Sequence, residues 1–286
     1  MAIRPYELFQ PRQRTTSLIF TSPHSGRSYP PGFLRSSILD ERTIRTSEDA
    51  FVDQLLDCVP DLGAPLLTAT APRAYIDLNR AADELDPALV EGVKVQAHNP
   101  RISSGLGVIP RVVSGGRPIY RGRIPLSDAR SRIEGCWHPF HAQLQLLLDG
   151  ALARFGEAIL VDVHSMPHEA VESVPALAGR RPDIVIGDRF GASAGPVIVD
   201  RIEAAFRDAG FRVSRNVPFA GAYITQAYGR PSRGQHAVQV EIDRALYMNE
   251  AEIRPNGNFA AFKRLLGGII AEIVAIGRGS GRLAAE

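Results

Sequence analysis

Sulfur and lysine are scarce in this chain. Cys58 and Cys136 are the only cysteines in 286 residues, and they form no C-x-x-C spacing. That excludes a disulfide framework and a thiolate metal site, and it points to a reducing compartment. Lys94 and Lys263 are the only lysines among 33 basic side chains. Arginine suits bidentate carboxylate recognition, although genome composition produces the same bias. The net charge of +2 is too small to argue for nucleic acid. No window approaches the roughly 18 uncharged apolar residues that span a bilayer. The first residues, M-A-I-R-P-Y-E-L-F-Q-P-R-Q-R, lack the apolar core of a signal peptide. The expected setting is the cytoplasm, without membrane or nucleic-acid partners.

What is present is an alternation of strand-like and helix-like stretches. Ser17–Thr21, Leu66–Thr70, Ala74–Asn79, Ala158–Val163, Ile184–Ile186, Phe211–Ser214 and Ala237–Asp243 read as strands. The last shows an alternating pattern, whereas the apolar run Ala158–Val163 suits burial on both faces. Helices are expected over Thr43–Val59, Arg130–Phe155, Pro196–Ala209 and Phe259–Ile276, with Gly156 and Gly210 as left-handed C-caps. Residues 81–126 are irregular and rich in Gly and Pro, as a lid or binding loop would be. The pattern predicts one α/β domain over residues 1–286, a three-layer α/β/α sandwich around a mixed sheet. Residues 277–286 read as a flexible tail.

Polar residues gather where predicted strands end. His24 lies in the turn-rich S-P-H-S-G-R-S-Y-P-P-G after the first strand. Asp162 and His164 end the apolar run A-I-L-V-D-V-H-S, and Glu241 sits in A-V-Q-V-E-I-D. Open sheets bind ligands at the carboxyl ends of their strands. An imidazole there, with a carboxylate two residues earlier, is a metal ligand or base, or else a polar strand end bonded to a loop. Glu48 and Asp49 follow Ser47, where a helix N-terminus favours acids, so capping is one reading of both. Two His and one carboxylate form the ligand pattern of several catalytic zinc sites. A further carboxylate such as Glu241 could serve as general base, with burial raising its pKa, or could pair with Arg244. His24 and His164 stand 140 residues apart, so no local motif certifies the set.

Seven segments together resemble the N-formylglutamate amidohydrolases. They are S-P-H-S-G at 22–26, the acid and apolar helix at 49–55, and Y-I-D-L-N-R at 75–80. H-P-F-H-A-Q-L at 138–144, D-V-H-S at 162–165, N-V-P-F-A-G-A-Y-I-T at 216–225 and Q-H-A-V-Q-V-E-I at 235–242 complete the series. The resemblance implies a zinc-carboxypeptidase-like fold, with one Zn2+ per chain held by His24, Asp49 and His164. Glu48 is the alternative carboxylate, and Glu241 takes the position of general base. The implied reaction is hydrolysis of N-formyl-L-glutamate, a small acidic substrate, to formate and L-glutamate in histidine degradation.

The resemblance also assigns the remaining site residues. Asn79 and Arg80 look like the Asn-Arg pair with which carboxypeptidases hold a carboxylate, or else a strand-end salt bridge to Asp77 or Asp83. Arg121 is a candidate for the second carboxylate or the oxyanion, in a loop that also holds Arg117 and Arg123. Asn216, Gly221, Tyr223 and Thr225 match a glycine-rich substrate wall. Asp162 orients a histidine or caps the loop. His138 and His141 read as structural, His98 and His168 as loop residues, and His236 as support for the wall.

One position departs from the pattern. Gln226 stands where family members active on formylglutamate carry Arg, with Arg230 and Arg233 as candidate replacements. The alternatives are a zinc carboxypeptidase, a deacylase for another N-acyl amino acid, and a non-catalytic binding protein of the same fold. A divalent metal other than zinc would also suit the donors.

Overall fold

The computed structural model describes residues 4–94, 99–172 and 181–278. His98 and residues 279–286 of the expected tail lie outside the described residues. The chain forms two compact units. One comprises Met1–Glu7, Pro23–Ala50 and Thr68–Gln143, the other Leu8–Ser22, Phe51–Leu67 and Leu144–Glu286.

The fold is α/β around a mixed seven-stranded sheet. In chain order its strands are β1 (Tyr6–Phe9), β2 (Leu18–Ser22), β3 (Leu66–Ala69), β4 (Ala158–Met166), β5 (Ile184–Gly187), β6 (Val213–Arg215) and β7 (Gln235–Asp243). They lie in the order β1-β3-β2-β4-β7-β5-β6. β2, β4 and β7 run parallel, while β5 is antiparallel to β7 and parallel to β6. Every residue of β4 and of β7 is buried. For β4 this matches the apolar run. In β7 the polar members of the alternation, Gln239 and Glu241, are buried along with the apolar ones.

The helices that matter here are α1 (Val52–Leu55), α2 (His138–Phe155), α3 (Pro196–Asp208), α4 (Tyr223–Tyr228) and α5 (Phe259–Ile276). α5 buries Phe262, Leu266, Ile269, Ile270, Ile273 and Val274 at helical spacing and packs against α1 and α3. Each such side chain contributes roughly 1.5–3 kcal/mol of burial. Gly156 and Gly210 have φ of 73° and 91°, as C-cap glycines do.

Three expected elements form differently. The helix expected over 43–59 is broken into Glu41–Ile44 and α1. Between them the Asp49 N–H donates to the His24 carbonyl (3.0 Å) and Phe51 takes a left-handed φ of 68°. Asp40 caps the first piece, and the N-cap residue of α1 is Phe51, which makes no side-chain cap bond, rather than Ser47. Ala74–Asn79 is no strand. Its amides turn back instead, Tyr75 and Ile76 donating to Pro72 O and Asp77 to Val108 O, while Ala74, Ile76 and Leu78 remain buried. The helix expected from Arg130 begins at Leu126 and passes through a π-helical turn, Ile133–Trp137, before α2.

Candidate active site

The chain leaves β2 at Ser22 and turns sharply. A Cβ on Gly26 would meet the Ala71 carbonyl oxygen at 2.1 Å, so the loop reaches residues 70–71 only with glycine there. His24, two residues before it, is buried. Its Nε2 lies 2.8 Å from Asp77 Oδ1 and its Nδ1 lies 3.4 Å from Asp49 Oδ2. Asp77 also accepts from Arg73 Nε (3.0 Å) and from the Asn79 N–H (2.8 Å). Burial opposes its charge, but His24, Arg73 and Arg80 hold its carboxyl well below the usual range. Asp77 holds the Nε2 side of the His24 ring, which turns Nδ1 toward Asp49. Glu48 points elsewhere: it accepts from Tyr29 Oη (2.7 Å) and from Arg45.

The second cluster lies on the neighbouring strands β4 and β7. Side chains two apart on a strand share a face, so Asp162 and His164 are neighbours, and His164 Nε2 lies 2.9 Å from Asp162 Oδ2. The register pairs Asp162 with Gln239 and His164 with Glu241. Gln239 donates to Glu241 Oε1 (2.8 Å) and its Oε1 accepts the Ala222 N–H (3.1 Å). Glu241 is thus a buried carboxylate one strand from His164, oriented by an amide that also holds the start of α4.

Asn79 and Arg80 are held by the helix that contains the π turn. Trp137 Nε1 donates to Arg80 O (2.8 Å) and His141 Nε2 to Leu78 O (2.9 Å). The two ring centroids lie 3.9 Å apart with the rings tilted by 33°. Burial lowers the His141 pKa to about 4, so the imidazole is neutral and structural. The Arg80 guanidinium is buried and donates to Leu106 O (3.0 Å) and Asn79 O (3.1 Å). Arg121 is exposed, whereas Arg117 and Arg123 are tied to backbone carbonyls.

The glycine-rich segment packs on β5. A Cβ on Gly187 would meet Ala220 C and Gly221 N at 2.7 Å, and one on Gly221, whose φ is 110°, would meet Thr225 Oγ1 at 2.5 Å. Asn216 accepts from the Asp188 and Phe190 amides and donates to Asp188 Oδ1 (2.7 Å). Thr225 Oγ1 donates to Ala222 O (2.9 Å). Asn216 and Thr225 therefore shape this segment with their side chains, while Tyr223 is half-buried beside Gly221.

Two expectations need correction, Arg230 and Arg233 as replacement cations and His236 as support for the wall. Gln226 is exposed on α4. Arg230 bonds through its backbone to Gln235, the first residue of β7, and its guanidinium donates to Gln226 O and Gly229 O. Gln235 is six residues before Glu241, about 20 Å along a strand, so neither Arg230 nor Arg233 substitutes for a cation at the Glu241 end. His236 lies at that same far end. It accepts the Gly195 N–H at the start of α3 (3.0 Å) and supports that helix rather than the wall. His138 is exposed beside Glu134, and His168 is exposed and bonded to Asp243 (2.7 Å).

One donor atom from each of His24, Asp49 and His164 lies within 4.8 Å of the others, and all three residues are buried. His24 Nδ1 and an Asp49 carboxylate oxygen face each other at 3.4 Å. That arrangement fits a shared cation, and each imidazole has a carboxylate at one ring nitrogen, Asp77 at His24 and Asp162 at His164.

The family model for N-formylglutamate amidohydrolase matches residues 16–248. The chain belongs to the N-formylglutamate amidohydrolase family. An N-formylglutamate deformylase of Pseudomonas putida is 33% identical over 239 residues, 82% of this chain and 83% of that protein. One from Pseudomonas aeruginosa is 33% identical over 238 residues, with 82% of each chain covered. The crystal structure of an N-formylglutamate amidohydrolase from Ralstonia eutropha superposes with a TM-score of 0.90 at 36% identity, covering 97% of this chain and 99% of that one.

In this family member, sequence reasoning missed the residues that orient the others: Asp77, Gln239, Arg73 and Trp137. One signal was available. D-V-H in β4 and Q-V-E in β7 are the same pattern of two polar side chains on one face of a buried strand. Asp77 carried no such signal, because Y-I-D-L-N-R reads as a strand and folds as a turn.

Proposed function

We propose that this chain hydrolyses the formyl amide of N-formyl-L-glutamate. The observation that carries the reading is the register of Glu241 beside His164 within the family fold. His24, Asp49 and His164 are the proposed ligands of one zinc ion, whose donor set is that of catalytic zinc sites. When bound, the ion would lower the pKa of a water molecule and polarise the formyl carbonyl.

Glu241, held by Gln239, takes a proton from the attacking water and returns it to the glutamate nitrogen as the carbon–nitrogen bond breaks. Water thus adds across the amide and yields formate and L-glutamate. Asn79 and Arg80, pinned by Trp137 and His141, bind the α-carboxylate. Their donors are charge-assisted and already oriented. Arg121 is assigned to the oxyanion. Gly221 and Tyr223 form the wall, which Asn216 and Thr225 shape. A small acidic molecule in the cytoplasm is the proposed partner.

The test is metal content together with formate release, on wild type and on Glu241→Gln. Wild type binds about one metal per chain and releases formate. The variant keeps the metal and loses roughly 10²–10⁴-fold in turnover. A metal-loaded wild type that leaves formylglutamate intact but cleaves another N-acyl amino acid would move the substrate and keep the chemistry. A Glu241→Gln variant with full turnover would remove Glu241 from the mechanism.

A further inference from the structure

We infer that Arg189, in the turn after β5, binds the side-chain carboxylate of the substrate. The inference rests on the deformylase reading above and names the residue that would select an acidic side chain. Among the described residues, no hydrogen bond or ion pair reaches the Arg189 guanidinium, although the side chain is half-buried. The neighbouring carboxylate of Asp188 accepts from Asn216 (2.7 Å). A half-buried guanidinium with no protein anion leaves its fork of donors available to an anionic ligand.

The backbone is built to hold this side chain in place. Arg189 has a φ of 53°, a conformation non-glycine residues avoid. Its own N–H donates to Ala220 O (2.8 Å), and the amides on either side of it, those of Asp188 and Phe190, both donate to Asn216 Oδ1. Its aliphatic stem lies against Gly221, where an added Cβ would stand 3.2 Å from Arg189 Cγ. A side chain at 221 would press on this stem as well as on Thr225 Oγ1, 2.5 Å away.

A chain of contacts joins Arg189 to the proposed base. Arg189 packs on Gly221, the next amide (Ala222) donates to Gln239, and Gln239 donates to Glu241. That path sets Arg189 three contacts from the base, and the side-chain carboxylate carbon lies four bonds from the amide nitrogen where the α-carboxylate carbon lies two. It suits the γ-carboxylate, the remote anion of the substrate. Arginine matches a carboxylate in a bidentate fork, which a single point charge does not.

The experiment compares N-formyl-L-glutamate with its neutral isostere N-formyl-L-glutamine on wild type, Arg189→Gln and Arg189→Lys. Metal content and melting temperature are measured on each. In wild type, kcat/KM favours the glutamate compound. In Arg189→Gln, KM for it rises about ten- to a hundred-fold with kcat little changed, and the preference disappears. Arg189→Lys restores part of the preference. Calorimetric titration with L-glutamate follows the same order, independently of turnover. If Arg189→Gln keeps the wild-type preference, or if wild type hydrolyses both compounds equally, Arg189 is not the selector and the deformylase reading survives. If wild type is metal-loaded and inert on both, the deformylase reading fails. The titration then decides Arg189 alone, with equal binding to wild type and Arg189→Gln overturning its role.

Discussion

At the scale of single residues, carboxylates face both histidines of the candidate site, Asp77 and Asp49 at His24 and Asp162 at His164. His24 sits between Asp77 and Asp49, and only the first of these is placed to accept its Nε2 proton at 2.8 Å. Asp77→Asn removes the charge that faces Nε2 while keeping the volume. Metal affinity, measured against a competing chelator, is expected to fall ten- to a hundred-fold. Unchanged affinity would make Asp77 a partner of Arg73 only. His141 makes the opposite case, a histidine kept neutral by burial. Its pKa in the folded chain, about 4, lies below the ordinary value of about 6.5. Between those values the unfolded chain binds the additional proton, so stability is complete above pH 6.5 and falls as pH drops toward 4. The loss is roughly 3 kcal/mol at most. Urea titrations across this range show the slope, and His141→Gln flattens it. An unchanged slope in the variant would assign the effect to another group.

At the scale of elements, close backbone approach shapes the wall. β5 ends in Gly187 because the segment at Ala220–Gly221 lies where a side chain would be, 2.7 Å from the position of a Cβ. Gly187→Ala must push that segment away. It is expected to cost about 1–3 kcal/mol of stability and to raise KM more than it lowers kcat, because Ala222 loses its grip on Gln239. Steady-state kinetics on the folded variant decide this, and an unchanged KM would show that the wall does not touch substrate. The π turn at Ile133–Trp137 is a second such device. It places Trp137 and His141 together so that the carbonyls of Arg80 and Leu78 are both satisfied. Helical periodicity announced the apolar stripe of this helix but not the turn, since a π turn shifts register without changing composition.

At the scale of the whole molecule, the proposed metal joins residues 24, 49 and 164, which are far apart in the chain. A ligand that binds only the folded state stabilises it in proportion to RT ln(1 + [L]/Kd), about 4 kcal/mol at a thousand times Kd. Chelation is expected to lower the melting temperature, and added zinc to restore it. A melting temperature indifferent to both would remove the three-residue site. Among the described residues no helix is long and apolar enough to cross a membrane.

The sequence by itself determined the class of fold and most of its strands. Apolar runs such as Ala158–Val163 have few ways to hide from water other than between layers. It also determined the family, because seven short segments in one order are specific where each alone is not. Asp49 was legible only as one of two adjacent acids. The tertiary structure turned it to His24 and tied Glu48 to Tyr29 and Arg45, since a broken helix at 47–51 replaces the continuous one that propensity favours. Asp77, Gln239 and Arg189 were decided by tertiary structure alone. Their roles depend on hydrogen bonds to side chains and amides distant in the chain or on a neighbouring strand, and spacing along a sequence carries no record of such distances.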